Sequence, residues 1–411
     1  MRKEIILINV SGRDKPGLMS VLTGIWSRYD AEILDIGQAV IHEDLALGVL
    51  VSVAENRAGD LIKETMFSAN EAGSSVRISN VSPGEHEAWL NASGQTRYIV
   101  TLLCLANVTD PLRAVSTLTH RFGLNIDTAR RLTDRGAAQG GDDEPGKMCV
   151  EMRVRGRLAD INALQTELLA DAEALGFDFS MPEDTVFRRN RRLVAFDMDS
   201  TLITAEVMDE LAKRHGVGDE VVAITAEAMA GGIDFQESFR RRAALLRGMP
   251  ESMLADVARS VTLNAGAHRL LRALQHFGYK TAVISGGFQY VGEYLQRDLD
   301  IDYVFANALE IRDGVMTGEV DGEIIDANRK AVILKELAER EGVALQQTIA
   351  IGDGANDLPM LTTAGLGVAF HAKPVVREKA EHAISNFGLD AILYLIGFSD
   401  RDVSEALSAE R

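Results

Sequence analysis

The sequence predicts an α/β protein whose second half forms a mostly parallel sheet and whose first half contains two smaller α+β repeats. From residue 192 onward, short apolar runs ending in Gly, Asp or Ser alternate with long helical patterns, as in "LVAFD", "KTAVISGG", "TIAIGDG" and "LGVAF". In the first half, segments of the chain match one another after a shift of 93 residues. The length of 411 residues is that of two or three domains.

The repeated unit has the order β-α-β-β-α-β. The strand-like runs "EIILINV" and "YIVTLLCL" are each followed by a helical pattern and another extended segment, and the shift aligns Leu22 with Val115 on the helix face that would meet a core. This order is the ferredoxin-like plan. With the turn "RDKPGL", the two copies, residues 1–90 and 95–183, resemble ACT domains, which implies amino-acid sensing or dimerisation.

The turn of the first copy is a candidate regulatory site. Pro16 fixes the backbone, and Gly17 opens a helix whose first amides suit a carboxylate. Asn107 aligns with Asp14, but Asp110 aligns with Gly17, so the second copy departs from the motif. We therefore expect Asp14, Gly17 and Asn107 at an effector site, with packing or dimerisation as the alternative role of both copies.

Polar residues collect where the predicted parallel strands of the second half end, which is one edge of the sheet. Carboxylates meeting there repel one another and need a cation, and oxygen ligands suit Mg²⁺. A serine followed by two glycines suits phosphate oxygens, and a lysine supplies positive charge for phosphoryl transfer. The residues are Asp197, Asp199, Ser285, Gly286, Gly287, Lys330, Asp353, Asn356 and Asp357.

The motifs "DMDST", "SGG", Lys330 and "GDGAND" occur in the order of the haloacid dehalogenase-like phosphohydrolases, and the resemblance covers residues 190–400. It implies a Rossmann-like sheet with a helical cap. It also implies that Asp197 is a nucleophile forming an aspartyl phosphate, Asp199 a general acid and base, and Lys330 a charge bridge. Asp197, the backbone carbonyl of Asp199 and Asp353 would hold Mg²⁺. The implied phosphate-binding and orienting residues are Ser285, Gly286, Gly287, Asn356 and Asp357.

The insert between the first two motifs, residues 203–262, has the pattern of four helices. This pattern predicts a helical cap over the site. The stretch "AMAGGIDFQESFRRRAALLRG" is similar to the cap of phosphoserine phosphatases. The resemblance implies that Arg242 binds the substrate carboxylate, Glu206 meets the ammonium, and Met229 and Phe235 line the pocket. Alternatively, Arg242 lies on a solvated helix face, and the two apolar residues are ordinary cap core.

The composition argues against several other classes of function and predicts the location of the protein. The net charge of −18 argues against nucleic-acid and anionic-membrane binding, and the basic run "FRRNRR" reads as a solvated linker. Two cysteines without a CxxC motif and the short apolar run at the N-terminus predict a cytoplasmic protein. Cys104 and Cys149 fall on predicted strands and are expected to be buried apolar residues.

The first interpretation is therefore a Mg²⁺-dependent L-phosphoserine phosphatase that completes serine biosynthesis, with serine as an effector at the ACT-like repeats and a homodimer as the expected assembly. Two alternatives stay open. One is a phosphatase of another small phosphomonoester. The other is an amino-acid-binding regulatory protein whose phosphatase half is vestigial.

Overall fold

The computed structural model describes residues 2–105, 108–134, 146–380 and 382–408. The chain separates into two compact units, Met1–Gln95 and Thr96–Arg411. The second predicted repeat and the predicted hydrolase domain lie together in the second unit, so the boundaries predicted between them stay predictions.

The first unit is an antiparallel sheet covered by helices. Its elements are β1 Lys3–Arg13, α1 Leu18–Arg28, β2 Glu32–Ile41, β3 Asp44–Ala54, α2 Glu55–Glu71, β4 Ser74–Val81 and α3 Pro83–Ser93. The strand order is β2-β3-β1-β4, and the paired strands run antiparallel. Alternate residues of β1 and β3 are buried together with Leu22, Ile25 and Trp26 of α1. This period of two along the strands produces one apolar face, which the helices cover.

The second unit begins with the other copy of the repeat. Its elements are β5 Arg97–Leu105, α4 Thr109–Arg121, β6 Asn125–Arg131, β7 Lys147–Arg155, α5 Ile161–Leu175 and β8 Phe177–Ser180. The strand order β8-β5-β7-β6 repeats the order of the first unit. Val115 and Leu118 are buried, as are Leu22 and Ile25 at the aligned positions. The structure confirms the repeat and its β-α-β-β-α-β order.

The rest of the second unit alternates strands and helices. The strands are β9 Leu193–Phe196, β10 Lys280–Phe288, β11 Tyr303–Arg312, β12 Val315–Asp321, β13 Thr348–Gly352, β14 Leu366–Phe370 and β15 His382–Ile384. The helices are α6 Val207–His215, α7 Gly218–Met229, α8 Phe235–Leu245, α9 Glu251–Ser260, α10 Ala267–His276, α11 Gln289–Leu299, α12 Ala327–Arg340, α13 Leu358–Thr363, α14 Pro374–Arg377, α15 Ile392–Leu395 and α16 Asp400–Ser408.

Six of these strands form a parallel sheet in the order β11-β10-β9-β13-β14-β15, and β12 adds antiparallel to β11. Numbered along the chain, the parallel strands have the order 3-2-1-4-5-6, which is the Rossmann-like arrangement. The central strands β9, β13 and β14 are fully buried, as in other sheets covered on both faces. Helices α6 to α9 lie in the insert between β9 and β10, where the sequence predicts the cap.

The second repeat and the parallel sheet form one continuous sheet of eleven strands, joined where β8 pairs antiparallel with β15. At this seam the carboxylate of Asp178 accepts hydrogen bonds from the backbone amides of Ser385 and Asn386 at 3.0 and 2.8 Å. The Ser180 hydroxyl lies 2.9 Å from Nδ1 of His382. These buried polar contacts couple the second repeat to the sheet that carries the candidate site.

The basic run before β9 is partly buried, so its interpretation as a solvated linker is wrong. Arg188 Nη2 donates to Glu151 Oε2 on β7 at 2.6 Å, and both side chains are almost fully buried. Arg191 Nη1 donates to the Thr348 carbonyl at 3.1 Å, at the start of β13. The run therefore ties the second repeat and the parallel sheet together, because a buried charge needs a partner of opposite sign or a carbonyl.

The two cysteines lie where the sequence predicts them, buried in β5 and β7. Burial raises the pKa of the Cys104 thiol to about 12, so this thiol is a packing group and not a nucleophile. Across the described ranges, none of the helices combines the length and the apolar character that a membrane span requires. The cytoplasmic location stays a prediction.

Candidate active site

The candidate site lies at the switch point of the parallel sheet. Strands β9 and β13 are neighbours, and the chain leaves them toward opposite halves of the sheet, which opens a crevice at their carboxyl ends. Asp197 directly follows β9, and Asp353 directly follows β13. The topology thus brings two carboxylates that are 156 positions apart in the chain to one crevice.

Lys330 joins the nucleophile candidate to the fourth motif. Its Nζ donates to Asp197 Oδ1 at 2.8 Å and to Asp357 Oδ1 at 2.7 Å, and its side chain is only 1% exposed. Burial alone lowers the pKa of Lys330, but the two carboxylates outweigh burial and raise it. The lysine is therefore charged at neutral pH and holds both carboxylates in place.

Three carboxylates beside the lysine form a site that fits a hard cation. Asp197, Asp353 and Asp357 each place one carboxylate oxygen within 4.8 Å of the others. Burial and the charge of Asp197 raise the pKa of Asp353 to about 7 and that of Asp357 to about 6. A divalent cation would offset this repulsion, and anionic oxygens are the ligands that Mg²⁺ prefers. The residues present therefore fit a cation of this kind.

The residues predicted to bind the metal and the residues of this cluster are partly the same. Asp197 and Asp353 belong to both, whereas Asp357, which the sequence assigned to orienting the lysine, also joins the cluster. The backbone carbonyl of Asp199 stays a predicted ligand. Thr201 Oγ1 donates to Asp353 Oδ1 at 3.1 Å, which fixes that carboxylate from the first motif.

Asp199 has the environment of a general acid. Burial, and then the charges of Glu206 and Asp197, raise the pKa of Asp199 well above its usual range. A carboxyl group held protonated at neutral pH can donate a proton to a leaving oxygen. Its Oδ1 accepts a long hydrogen bond of 3.4 Å from the Val207 amide, at the start of the cap. The two carboxylates of the first motif therefore differ in environment, as the predicted division of roles requires.

The second motif lies beside Asp199 at the same crevice. Ser285 is buried, and its Oγ accepts a hydrogen bond from the Gly287 amide at 2.9 Å. A Cβ atom on Gly287 would lie 2.5 Å from Asp199 Oδ2, and one on Gly286 would lie 3.0 Å from Phe235 Cζ. Only glycine lets the loop approach the acid and the cap this closely. Asn356 lies in the loop after β13, with its amide oxygen against Gly354.

The cap brings part of the predicted substrate-reading set to the site. Glu206 keeps contact with solvent, but the protein around its carboxyl group raises its pKa, and Asp197 adds to this. Its Oε1 accepts a hydrogen bond of 2.8 Å from Ser200 Oγ. Burial lowers the pKa of Arg242, while the charges of Asp209, Glu206 and Asp199 oppose that shift. Arg242 is partly buried and close enough to these acids for them to affect its pKa, so it is not on a fully solvated helix face.

The two apolar residues predicted to line the pocket differ in their positions relative to the site. The Phe235 ring lies against Gly286 and stacks on Phe239, with ring centroids 6.2 Å apart. Met229 ends α7 and is 73% exposed, so the structure does not bring it to the site. Its predicted contact with a substrate stays a prediction.

Comparison with known proteins assigns both parts of the chain. The family model for haloacid dehalogenase-like hydrolases matches residues 194–362, and the ACT domain model matches residues 4–79. The phosphoserine phosphatase of Streptomyces coelicolor is 38% identical over 403 residues, which cover 98% of this chain and 94% of that protein. The chain belongs to the phosphoserine phosphatase family. The predicted fold class, a hydrolase sheet preceded by ACT-like repeats, is confirmed.

Further members of the phosphoserine phosphatase family match over a similar length. The phosphoserine phosphatase of Mycobacterium tuberculosis is 36% identical over 404 residues, covering 98% of this chain and 96% of that protein. The crystal structure of a probable phosphoserine phosphatase from Vibrio cholerae, in unliganded form, matches with a TM-score of 0.59 at 33% identity. That match covers 79% of this chain and 95% of the Vibrio chain.

Sequence reasoning missed a residue that braces the first motif of this family member. Asn264 Nδ2 donates to the carbonyl oxygen of Thr201 at 2.7 Å and lies 3.3 Å from those of Ser200 and Ile203. Ser200 has a φ of 58°, a left-handed conformation that costs a non-glycine residue energy. The Asn264 side chain thereby stabilises this turn, which connects the site to the cap. A lone Asn at the end of a helical insert carries no pattern that would have revealed this contact.

A second missed asparagine braces the loop of the second motif, residues 285–287. Asn307 on β11 is buried, its Nδ2 donates to the Gly286 carbonyl at 2.8 Å, and its Oδ1 accepts from the Ile325 amide at 2.7 Å. With its carbonyl held, the Gly286 peptide has a fixed orientation. The segment before α12 is fixed by the same side chain, so the loop of the second motif and the helix of Lys330 share one brace.

The predicted regulatory residues fall in both units. In the first unit, Gly17 has a φ of 94° at the N-terminus of α1, and no atom would lie within 4 Å of an added Cβ. The Asp14 side chain is exposed beside it, and its amide donates to the Glu43 carbonyl at 2.7 Å. Asn107 lies outside the described residues. The effector site stays a prediction, with an accessible helix N-terminus in the first unit as its structural basis.

Proposed function

We propose that this protein is a Mg²⁺-dependent phosphatase that hydrolyses L-phosphoserine to L-serine and phosphate through an aspartyl-phosphate intermediate. The main support is the buried ion-pair triad of Lys330 with Asp197 and Asp357, close to Asp199, whose pKa is raised by burial. Membership of the phosphoserine phosphatase family supports the substrate, and the final reaction of serine biosynthesis is the step that this activity would supply.

The first chemical step uses the two carboxyl groups in different states. An oxygen of Asp197 bonds to phosphorus while the bond between phosphorus and the serine oxygen breaks, and Asp199 transfers its proton to that oxygen. Lys330 keeps the attacking carboxylate oriented and offsets the charge of the phosphoryl group. The polar loop of Ser285 and Gly286 would receive the phosphoryl oxygens.

The second step reverses these roles. Water attacks phosphorus, the bond between phosphorus and the Asp197 oxygen breaks, and the proton of water returns to Asp199. A Mg²⁺ ion held by Asp197, Asp353 and Asp357, with the predicted carbonyl of Asp199, would stabilise negative charge on the transferring group. The contact of Phe235 with Gly286 would limit the access of bulk water to residues 285–287, the proposed phosphate loop.

The cap has the charges that a phosphorylated amino acid requires. Serine phosphate carries a carboxylate and an ammonium group besides its phosphate, and the site offers a guanidinium and a carboxylate at Arg242 and Glu206. Because Arg242 is partly buried, an ion pair with the substrate carboxylate would be stronger there than in water. A small phosphomonoester without a carboxylate is the alternative substrate.

The test measures phosphate release from L-phosphoserine and from an aryl phosphate, with Mg²⁺ and with EDTA, for the wild type and Arg242→Ala. We expect metal-dependent turnover of phosphoserine, and a loss of about 100-fold in kcat/KM in the variant because a buried charge-assisted contact is removed. Turnover of the aryl phosphate should change by less than about threefold. Equal losses on both substrates would argue for the alternative substrate class.

We further propose that the first unit binds an amino acid, with serine as the first candidate, at the N-terminus of α1. The exposed Asp14 and the left-handed Gly17 support this site, and dimerisation through the repeats stays a prediction. Serine should change the phosphatase rate of the wild type in one direction or the other. It should do so several-fold less in Gly17→Ala, because alanine is strained at that backbone conformation.

The matched control for the effector is Gly84→Ala on α3, which has a negative φ and no neighbour within 4 Å of an added Cβ. This variant should keep the serine response. An unchanged wild-type rate at saturating serine would exclude the effector. Serine binding by a wild-type protein that hydrolyses neither substrate would support the regulatory alternative, with a vestigial phosphatase half.

A further inference from the structure

The first turn of cap helix α8 contacts the start of α12, the helix that carries Lys330. Gln236 Nε2 donates to Asp326 Oδ2 at 3.0 Å, while Asp326 Oδ1 accepts from the Arg329 amide at 2.9 Å. Asp326 is thus the N-cap of α12 with one oxygen and binds the cap domain with the other. One carboxylate thus joins the cap to the helix that carries Lys330.

The two ends of α8 are attached to the rest of the unit in different ways. Just after its C-terminal end, the Gly248 amide donates to the Met316 carbonyl and the Met316 amide donates to the Met249 carbonyl, both at 2.9 Å. These are backbone bonds to β12. The first turn of α8 instead reaches the core through side chains: Phe235 lies against Gly286, and Gln236 bonds Asp326. Side-chain contacts break and re-form with less disruption than a backbone ladder.

The orientation of the Gln236 amide is set by a third residue. Arg240 Nη2, one turn further along α8, donates to Gln236 Oε1 at 3.3 Å. A guanidinium is only a donor, so it selects the amide oxygen and leaves the amide nitrogen facing Asp326. The pKa of Asp326 is lowered by the hydrogen bonds from Arg329 and Gln236, so its carboxylate is charged and the bond from Gln236 is charge-assisted.

We propose that Gln236 and Asp326 form a latch that holds the first turn of α8, and with it Phe235, closed over the phosphate loop while substrate is bound. The proposal rests on the proposed phosphatase function. Phe235 lies against Gly286, so movement of this turn would change the access of a substrate to the loop. Gln236 and Asp326 are therefore positioning residues. They change the fraction of enzyme molecules in the closed state and do not contact the reacting atoms.

The deciding variant is Gln236→Glu, which turns the donor into a second carboxylate facing Asp326. We expect the KM for phosphoserine to rise about tenfold, since the closed state loses a charge-assisted bond and gains a repulsion. The kcat should stay within about twofold of the wild type, because enzyme that does close keeps the reacting groups intact. Gln236→Ala, which removes the donor without adding charge, should raise KM by a smaller factor in the same direction.

The rescue exchanges the two partners. In the double variant Gln236→Glu with Asp326→Asn, the asparagine keeps the N-cap with its oxygen and donates from its amide nitrogen to the new glutamate. KM should return to within about threefold of the wild type. A purely structural role of Asp326 would make the second substitution add to the defect of the first and not reverse it.

The matched control is Arg241→Ala on the same helix. It lowers the net charge by the same amount, removes an ion pair with Glu227, and leaves Gln236, Arg240 and Asp326 in place, so its KM should stay within about twofold. An unchanged KM in Gln236→Glu, a double variant worse than the single one, or a fall in kcat at constant KM would each overturn the latch. If the wild type does not hydrolyse phosphoserine, the proposed substrate fails, and the same KM series on an aryl phosphate still tests the latch.

Discussion

Replacing Asp197 by asparagine is expected to lower phosphate release from phosphoserine by a factor of at least about 10⁴. The amide has almost the shape of the carboxylate but is a poor nucleophile, so the step that forms the aspartyl phosphate is removed. The substitution also removes one negative charge next to Lys330 and one candidate metal ligand. The measurement is single-turnover phosphate release with Mg²⁺, together with the mass of the acid-quenched protein.

The matched control for this variant is Asp298→Asn, an exposed position on α11 that makes the same chemical change away from the site. It should keep the wild-type rate. In the wild type, a phosphoryl group should be found on the peptide that contains Asp197, and in Asp197→Asn it should be absent. A phosphoryl group on another residue, or an asparagine variant that keeps more than about a tenth of the rate, would contradict the nucleophile assignment.

The residues that sequence reasoning recovered are those whose place follows from strand order. Asp197 and Asp353 directly follow buried parallel strands, and Ser285 lies in the second half of β10, so the topology alone brings them to one edge. Lys330 is recoverable because it opens a helix in the same alternation of strands and helices. The positions of such residues are predictable because they depend on the alternation of strands and helices and on the right-handed connection between parallel strands. They do not depend on side-chain packing.

The residues that sequence reasoning missed act through single contacts between distant parts of the chain. Asn264, Asn307 and Gln236 are polar residues without a local pattern, and their partners lie 18 to 90 positions away. Arg188 and Arg191 were misassigned because a basic run is normally solvated, whereas here Glu151 and a backbone carbonyl compensate their burial. Pairing of this kind is decided by tertiary packing, which one sequence does not display.

Replacing Lys330 by methionine is expected both to abolish activity and to destabilise the second unit by about 3 to 5 kcal/mol. Methionine has a similar length and fills the same space, so the loss would come from charge and not from a cavity. Asp197 and Asp357 would then be buried carboxylates without their shared cation. The measurements are phosphate release and chemical denaturation, with EDTA present so that a divalent cation does not replace the lysine.

The destabilisation should depend on pH, with a sign that follows from the carboxylates. Asp357 already has a pKa raised to about 6 by burial and by Asp197, and loss of Lys330, which lowers it, would raise it further. A folded state with a raised carboxyl pKa binds more protons than the unfolded state, so its stability falls as pH rises through that range. The deficit of Lys330→Met relative to the wild type should therefore be larger at pH 8 than at pH 5.

A second substitution separates the structural role of the lysine from its catalytic role. Lys330→Met with Asp357→Asn removes one of the two stranded carboxylates, so it should recover part of the stability at pH 8 while activity stays absent. Equal stability of the wild type and Lys330→Met at both pH values would show that the triad does not carry the charge balance inferred here. Recovery of stability without activity would show that the folded state does not need the lysine once a carboxylate is removed with it. The charge of Lys330 would then be required for the reaction of the phosphoryl group and not for folding.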